Sequence, residues 1–247
     1  MDTETHRVRN TPPGTTVYLL KDWCTQREET YLLGRVYASP KWTNVSARRL
    51  QSFGGQVREK GTLAEKMPDW LASEIGKVQH TVGELMPTRI NHVLVNEYLP
   101  GNGILPHQDG GCYHPCVLIL SLGCDAVMRF APHKDFRDDS SYKEFGIFLP
   151  CRSLLLFHGT TYTEYLHGIE AVDVDVIDGS VVNFGDVSGA ASDDMEETGI
   201  EKRDALKKKK NGDDDSKTQS VTLRRDTTRV SMTFRNVLRV RKALRMV

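Results

Sequence analysis

The sequence predicts a mainly β domain with flanking helices, an α+β arrangement built on a double-stranded β-helix, or jelly roll. Three observations predict it. From residue 90 onward the chain is a succession of short apolar runs, rich in β-branched and aromatic residues and separated by turn residues, with no helical spacing between them. Helical periodicity is confined to two stretches within the first 85 residues. With 247 residues, 38% of them hydrophobic, the chain has enough apolar surface for one sizeable core. Strands that follow one another without crossover helices argue against βαβ units and for an antiparallel sandwich or barrel, with the two helices buttressing one sheet.

Taken in order, residues 1–15 are polar and read as a flexible N-terminus, followed by a single domain over 16–247. "TVYLLKDW" (16–23) reads as a strand, and "TQREETYLLGRVYAS" (25–39) as a helix with Thr25 as N-cap and Glu28 at the capping-box position. "PKWTNVSARRLQSFGG" (40–55) lacks sustained periodicity and ends in a Gly-Gly turn. Helical spacing returns over 67–85 through Trp70, Leu71, Ile75 and Val78. The predicted strands are then "INHVLVNEYL", "CVLILSL", "AVMRFA", "FGIFL", "SLLLFHG", "VVNFG" and "RVSMTFRNVLRV". Between the last two, residues 188–220 alternate acidic and basic blocks with almost no large apolar residue, which predicts a disordered insertion. Its run Lys207 to Lys210 reads as a solvated block, with a nuclear-import signal or nucleic-acid contact as the alternatives.

The 33 acidic and 33 basic residues cancel, so no global field draws the chain to nucleic acid or an anionic membrane, and any polyanion site must be a local patch. No apolar run resembles a signal peptide or a membrane span, and the five cysteines are an odd number in a chain too long to need disulfide staples. A soluble protein of cytoplasm and nucleus with reduced thiols is expected, with a monomer favoured.

"PHQDGG" (106–111) raises the chemical question. In an extended segment residues i and i+2 share a face, so His107 and Asp109 can chelate one cation, and the glycines let the chain turn away. His167, at the opening of a later strand-like run, could complete a facial triad of two histidines and one carboxylate, which leaves three coordination positions open. A polar turn and a surface histidine are the plain alternatives. "RVSMTFR" (229–235) places Arg229, Ser231, Thr233 and Arg235 on one strand face, alternating with Val230, Met232 and Phe234. Two arginines on such a face need anions, and a small dicarboxylate suits both guanidinium forks. A solvated face with surface ion pairs is the competing reading.

These pieces stand in a familiar order: "NEY" (Asn96, Tyr98), "HQD" (His107, Asp109), a distant His167, and "RVSMTFR". The chain resembles the AlkB-type Fe(II)/2-oxoglutarate dioxygenases, whose signature is N-x-Y, H-x-D, H and R-x-N/S-x-T-x-R. "KWTNVSARRLQSFGG", "NHVLVNEYLPGNGILPHQDG" and "LSLG" are similar to the branch called AlkB homologue six. The resemblance implies that His107, Asp109 and His167 ligate iron. It implies that Asn96 and Tyr98 contact 2-oxoglutarate, that Arg229 pairs with its distal carboxylate, and that Arg235 lies near its chelating carboxylate. Ser231 stands where many relatives have asparagine. Fe(II), 2-oxoglutarate and molecular oxygen are the implied cofactor and co-substrates.

The implied reaction hydroxylates, and thereby demethylates, a methylated nucleic acid, RNA favoured over DNA. Trp42, Arg48, Arg49 and Phe53 occupy the segment that in relatives forms a lid over the site, and are expected to contact substrate. Gly111 stands where the founding bacterial enzyme has a second aspartate that helps read the damaged base, so that enzyme's base specificity does not carry over. Three other readings stay open: a methylated-RNA reader or scaffold with the same fold, a protein hydroxylase or demethylase, and a structural zinc module using His107, Cys112, His114 and Cys116.

Overall fold

The direction each strand faces follows from alternation within the apolar runs, and the computed structural model, which describes residues 2–58, 61–185, 200–204 and 219–241, has the two faces that alternation demands. In chain order the first elements are α1 (Thr3–His6), β1 (Thr16–Leu20), α2 (Gln26–Ala38), β2 (Thr43–Val45), β3 (Arg48–Phe53), β4 (Thr62–Leu63) and α3 (Asp69–Val82). Then come β5 (His92–Tyr98), β6 (Ile104–His107), β7 (Cys116–Leu122), β8 (Ala126–Pro132), β9 (Phe145–Leu149), β10 (Leu154–His158), α4 (Thr160–Thr163) and β11 (Tyr165–Ile169). β12 (Val174–Ile177), β13 (Ile200–Asp204), β14 (Gln219–Arg224), β15 (Arg229–Arg235) and β16 (Val240–Arg241) complete the described residues.

A major sheet runs β1-β10-β7-β15-β5-β3-β2 and a minor sheet β6-β11-β8-β9, each antiparallel throughout. This is the predicted jelly roll, mostly β with the helices outside it. Between the sheets, Val17, Leu19, Val117, Ile119, Leu155 and Phe157 of the major sheet meet Met128, Phe130, Phe145, Ile147 and Ile169 of the minor one. The alternate residues Tyr18, Leu20, Leu118, Leu120, Leu154, Leu156, Val230, Met232 and Phe234 point the other way, onto Leu32 and Val36 of α2 and Leu71, Val78 and Val82 of α3. The two helices thus buttress one sheet. α2 carries the expected capping box: Glu28 N donates to Thr25 Oγ1 at 3.2 Å, and Thr25 N donates to Glu28 Oε2 at 2.7 Å.

Four stretches differ from the sequence reading. Residues 40–55, without periodicity, supply the edge strand β2 and its neighbour β3. "VVNFG" (181–185) is a turn rather than a strand, because the Asn183 side chain does the work of a neighbouring backbone: it accepts from Phe148 N and donates to Phe148 O, both at 2.9 Å. The polar N-terminus carries α1, and Val8 is buried with its N–H donating to Val17 O at 2.9 Å. Within and beside the charged insertion, Ile200–Asp204 pairs with Gln219–Arg224 in a sheet of order β12-β14-β13, whose Ile177, Val221 and Leu223 pack on Val127 and Phe148. The rest of the insertion, including Lys207 to Lys210, lies outside the described residues. Among the described residues no helix is long and apolar enough to cross a membrane.

Candidate metal centre and cavity

His107 ends β6 and His167 lies in β11, directly opposite each other across an antiparallel pair, so their rings share a face with centroids 4.5 Å apart. Gly168 makes this pairing possible: a Cβ there would sit 2.9 Å from Ile104 O and Pro106 N. Asp109 follows two residues after His107, and Gly110, at φ +86°, turns the chain away at once. Ligand atoms of His107, Asp109 and His167 all lie within 4.8 Å of one another, the one such group of three His, Cys, Asp or Glu side chains among the described residues.

Each member is held in a state suited to a cation. His107 Nδ1 lies 2.9 Å from Leu105 O, a contact in which Nδ1–H donates to the carbonyl and Nε2 is the nitrogen available to a metal. Burial pushes His167 down to about 4, so its imidazole is neutral at pH 7. Asp109 Oδ1 accepts from Arg235 Nη1 at 2.6 Å, while Oδ2 is buried with no protein partner. Two imidazole nitrogens and one orphaned carboxylate oxygen fit a divalent first-row metal.

The arginines of β15 divide their duties. Arg235 lies with its guanidinium 4.6 Å above the Tyr113 ring and has Asp109 as its anion, with Nε unpaired. Arg229 is 4% exposed, donates through Nη2 to Ser121 Oγ at 2.8 Å, sits 5.5 Å from the Tyr98 ring, and has no carboxylate partner among the described residues. A buried cation without an anion costs several kcal/mol, and burial pulls Arg229 down from the ordinary arginine value. Arg229 therefore fits an acid supplied from outside the chain.

Both arginines, Ser231, Asn96, Tyr98 and the triad line one cavity of about 1240 Å³. Of the four side chains expected to contact substrate, Arg48 reaches this cavity and donates through Nε to Asn96 Oδ1 at 3.0 Å. Trp42, Arg49 and Phe53 do not. β3 alternates, so Arg49 and Phe53 face the helices: Arg49 pairs with buried Glu97 and lies 4.3 Å over the Trp42 ring, and Phe53, 2% exposed, packs edge-on against Trp70. The zinc reading also fails on geometry. His107 groups with Asp109 and His167, not with the cysteines, and Cys116 is buried in the core under the helices.

Several contributors were not singled out from sequence. Ser121 left a signal, as the one polar side chain in the buried run of β7. Gln108 and Tyr162 left none: Gln108 Nε2 donates to Thr163 O and Tyr162 Oη to Gly110 O, both at 2.7 Å, tying the loop that carries Asp109 to the segment just before His167.

Residues 51–235 match the 2OG-Fe(II) oxygenase superfamily. The chain is 39% identical over 204 residues to a zebrafish (Danio rerio) protein named "Probable RNA/DNA demethylase ALKBH6", covering 79% of this chain and 86% of that one. It is 26% identical over 204 residues to the Xenopus tropicalis "tRNA (carboxymethyluridine(34)-5-O)-methyltransferase alkbh8", covering 78% of this chain and 30% of the frog protein. A solved oxidoreductase of the 2OG-Fe(II) oxygenase family from Burkholderia pseudomallei has the same fold, with a TM-score of 0.53 at 10% identity over 89% of this chain and 84% of that one. With a His-Asp-His centre, an unpaired buried arginine and these likenesses together, the chain belongs to the AlkB branch of the 2OG-Fe(II) oxygenases and is a dioxygenase that uses Fe(II), 2-oxoglutarate and molecular oxygen.

Proposed function

We propose that this dioxygenase removes an N-linked methyl group from a nucleic-acid base, RNA favoured over DNA. The observation that carries the proposal is the cavity's extent beyond the triad. About 1240 Å³ exceeds what a five-carbon dicarboxylate fills, and the remaining wall mixes Leu105, Met128 and Phe145 with the guanidinium groups of Arg48 and Arg129, a lining suited to a flat ring with polar edges. The name of the zebrafish relative supports a nucleic-acid substrate, and that of the frog relative supports RNA.

In this reading His107, Asp109 and His167 hold the iron, Arg229 receives the distal carboxylate of 2-oxoglutarate, and Asn96, Tyr98, Ser231 and Arg235 line its remaining length. The bound metal, co-substrate and oxygen supply the oxidation, in which 2-oxoglutarate loses carbon dioxide to become succinate as a substrate C–H bond is hydroxylated. The chain's part is placement. Arg229 would anchor the dicarboxylate, while Arg235 fixes the Asp109 carboxylate and Arg48 is braced by Asn96. A base reaches this depth only when unstacked from its neighbours. Its hydroxylated N-methyl group is a hemiaminal, whose C–N bond breaks to release formaldehyde.

The test incubates the protein with Fe(II), 2-oxoglutarate, ascorbate and N-methylated RNA or DNA oligonucleotides, following succinate and nucleoside masses. Loss of the methyl mass with one succinate per methyl, faster on RNA and absent in His107→Ala and Asp109→Ala, is the expected result. Iron-dependent succinate with no change in either oligonucleotide would overturn the nucleic-acid substrate.

A further inference from the structure

The geometry points to a phosphate-binding surface outside the cavity, formed by the joined segments that carry Arg58, Arg89, Arg239 and Arg241 at the β4–β16 ribbon, that holds the backbone of a single-stranded nucleic acid whose target base enters the cavity. This rests on the nucleic-acid reading above and says where the rest of that substrate runs.

Hydrogen bonds join the segments that carry the four arginines, which come from three distant parts of the chain. Thr62 N donates to Arg239 O at 2.9 Å and Ala64 N to Arg241 O at 3.2 Å, which builds the parallel ribbon of Thr62–Leu63 with Val240–Arg241. Gly61 N donates to Arg58 O at 2.9 Å, and the Arg241 side chain passes close to Gly61, where a Cβ would lie 3.4 Å from Arg241 Nε. Asn236 Nδ2 donates to Arg89 O at 2.6 Å, and Asn91 exchanges two hydrogen bonds with Val237. All four arginines are exposed, and none has an acidic partner among the described residues.

The segments that carry them are poor in acids, with Glu65 and Glu84 just outside. Across 55–64, 86–91, 112–116 and 236–241 the single acid in the sequence is Glu59, and no Asp or Glu follows Asp226. In a chain of zero net charge this is the local patch that composition alone could not reveal. Like charges gathered this way repel until a polyanion neutralises them, with release of its counterions. Leu63, Leu238 and Val240, 62%, 55% and 45% exposed in the same segments, offer apolar contacts to sugars and unstacked bases.

The patch is also continuous with the metal centre. β15 ends at Arg235 against Asp109, and the chain proceeds directly into Asn236 and Val237. From the other side the ligand loop runs into Cys112 and His114, whose O and N pair with Leu238 N at 3.0 Å and Asn236 O at 2.9 Å. On this proposal a strand with one base in the cavity lays its neighbouring phosphates along the ribbon. Flexible single strands follow such a path without the unpairing and unstacking that a duplex requires before it presents a base.

The experiment measures binding of a short fluorescein-labelled single-stranded RNA, and of DNA of the same sequence, across a salt series. Arg239→Ala/Arg241→Ala should weaken binding about tenfold and lower the slope of log affinity against log salt by about 1.4, at about 0.7 per lost phosphate contact. Arg239→Lys/Arg241→Lys should keep most of that slope. Arg27→Ala/Arg35→Ala, which removes the same charge from exposed positions of α2, should bind as wild type, and succinate formation without nucleic acid should be equal in all four proteins. An unchanged slope in the alanine pair, an equal loss in the α2 control, or a lysine pair no better than alanine overturns the surface while leaving the nucleic-acid reading standing. Wild-type protein that binds neither oligonucleotide overturns that reading itself.

Discussion

Arg235 donates a 2.6 Å hydrogen bond to Asp109, so the arginine at the end of the signature strand orients a metal ligand as well as lining the co-substrate cavity. Both side chains are about 5% exposed, and each keeps one polar atom, Arg235 Nε and Asp109 Oδ2, without a protein partner.

Replacing Arg235 by glutamine should therefore weaken metal binding itself. Groups that orient a metal ligand are worth about 10- to 100-fold in affinity. Titration of the metal-free variant with Mn(II), followed by electron paramagnetic resonance, should show a loss of that size with the circular dichroism spectrum retained. Unaltered Mn(II) affinity would falsify the orienting role.

Arg229→Met separates co-substrate affinity from metal affinity. Truncating one partner of a buried, hydrogen-bonded charge pair costs about 2–5 kcal/mol of binding, so 2-oxoglutarate affinity should fall at least about thirtyfold while Mn(II) affinity holds. The ligand-free variant should melt higher than wild type, because an uncompensated buried charge has been removed. A lower melting temperature, or unchanged 2-oxoglutarate affinity, contradicts the assignment.

Gly168→Ala tests the pairing that brings the two histidines together. The added methyl group meets backbone atoms of Ile104 and Pro106 at about 2.9 Å, which a flexible side chain cannot relieve. β6 must shift from β11, so Mn(II) binding should fall more than tenfold for a loss of about 1–3 kcal/mol in stability. Wild-type metal affinity in a folded Gly168→Ala protein would show that β6 does not need this contact.

The pH dependence of stability follows from His92, which burial pushes down to about 4 from an ordinary 6.5. Between those values the unfolded chain binds a proton that the folded chain refuses. The stabilisation is complete above about pH 6.5 and is lost as pH falls toward 4, by at most about 1.4 kcal/mol per unit. Urea unfolding of metal-free protein should show that decline, and His92→Gln should make it shallower. Parallel curves for the two proteins count against it.

The parts of the site that were legible in sequence are those where alternation along a strand does the positioning. On β15 every second residue faces the cavity, so Arg229, Ser231 and Arg235 could be read as one surface, whereas Asn96 and Tyr98 of the neighbouring β5 were placed beside them by the family resemblance. The same rule separates Arg48 from Arg49 and Phe53, but residues 40–55 gave no sign of being strand, so their faces were not legible. Contacts that join distant segments were not legible at all. Nothing local marks Asp109 as the partner of Arg235, Tyr162 as the support of Gly110, or Asn183 as a substitute strand.

β15 is buried along its whole length and has no spare face. Val230, Met232 and Phe234 fill the core under the helices, and the residues between them build the cavity floor. Losing or gaining one residue between Arg229 and Arg235 would exchange the two sets, driving guanidinium groups into hydrocarbon and hydrocarbon into the place of the anion anchor. Folding and chemistry are thus written into one seven-residue segment in two interleaved scripts, and a reading-frame slip in either erases both.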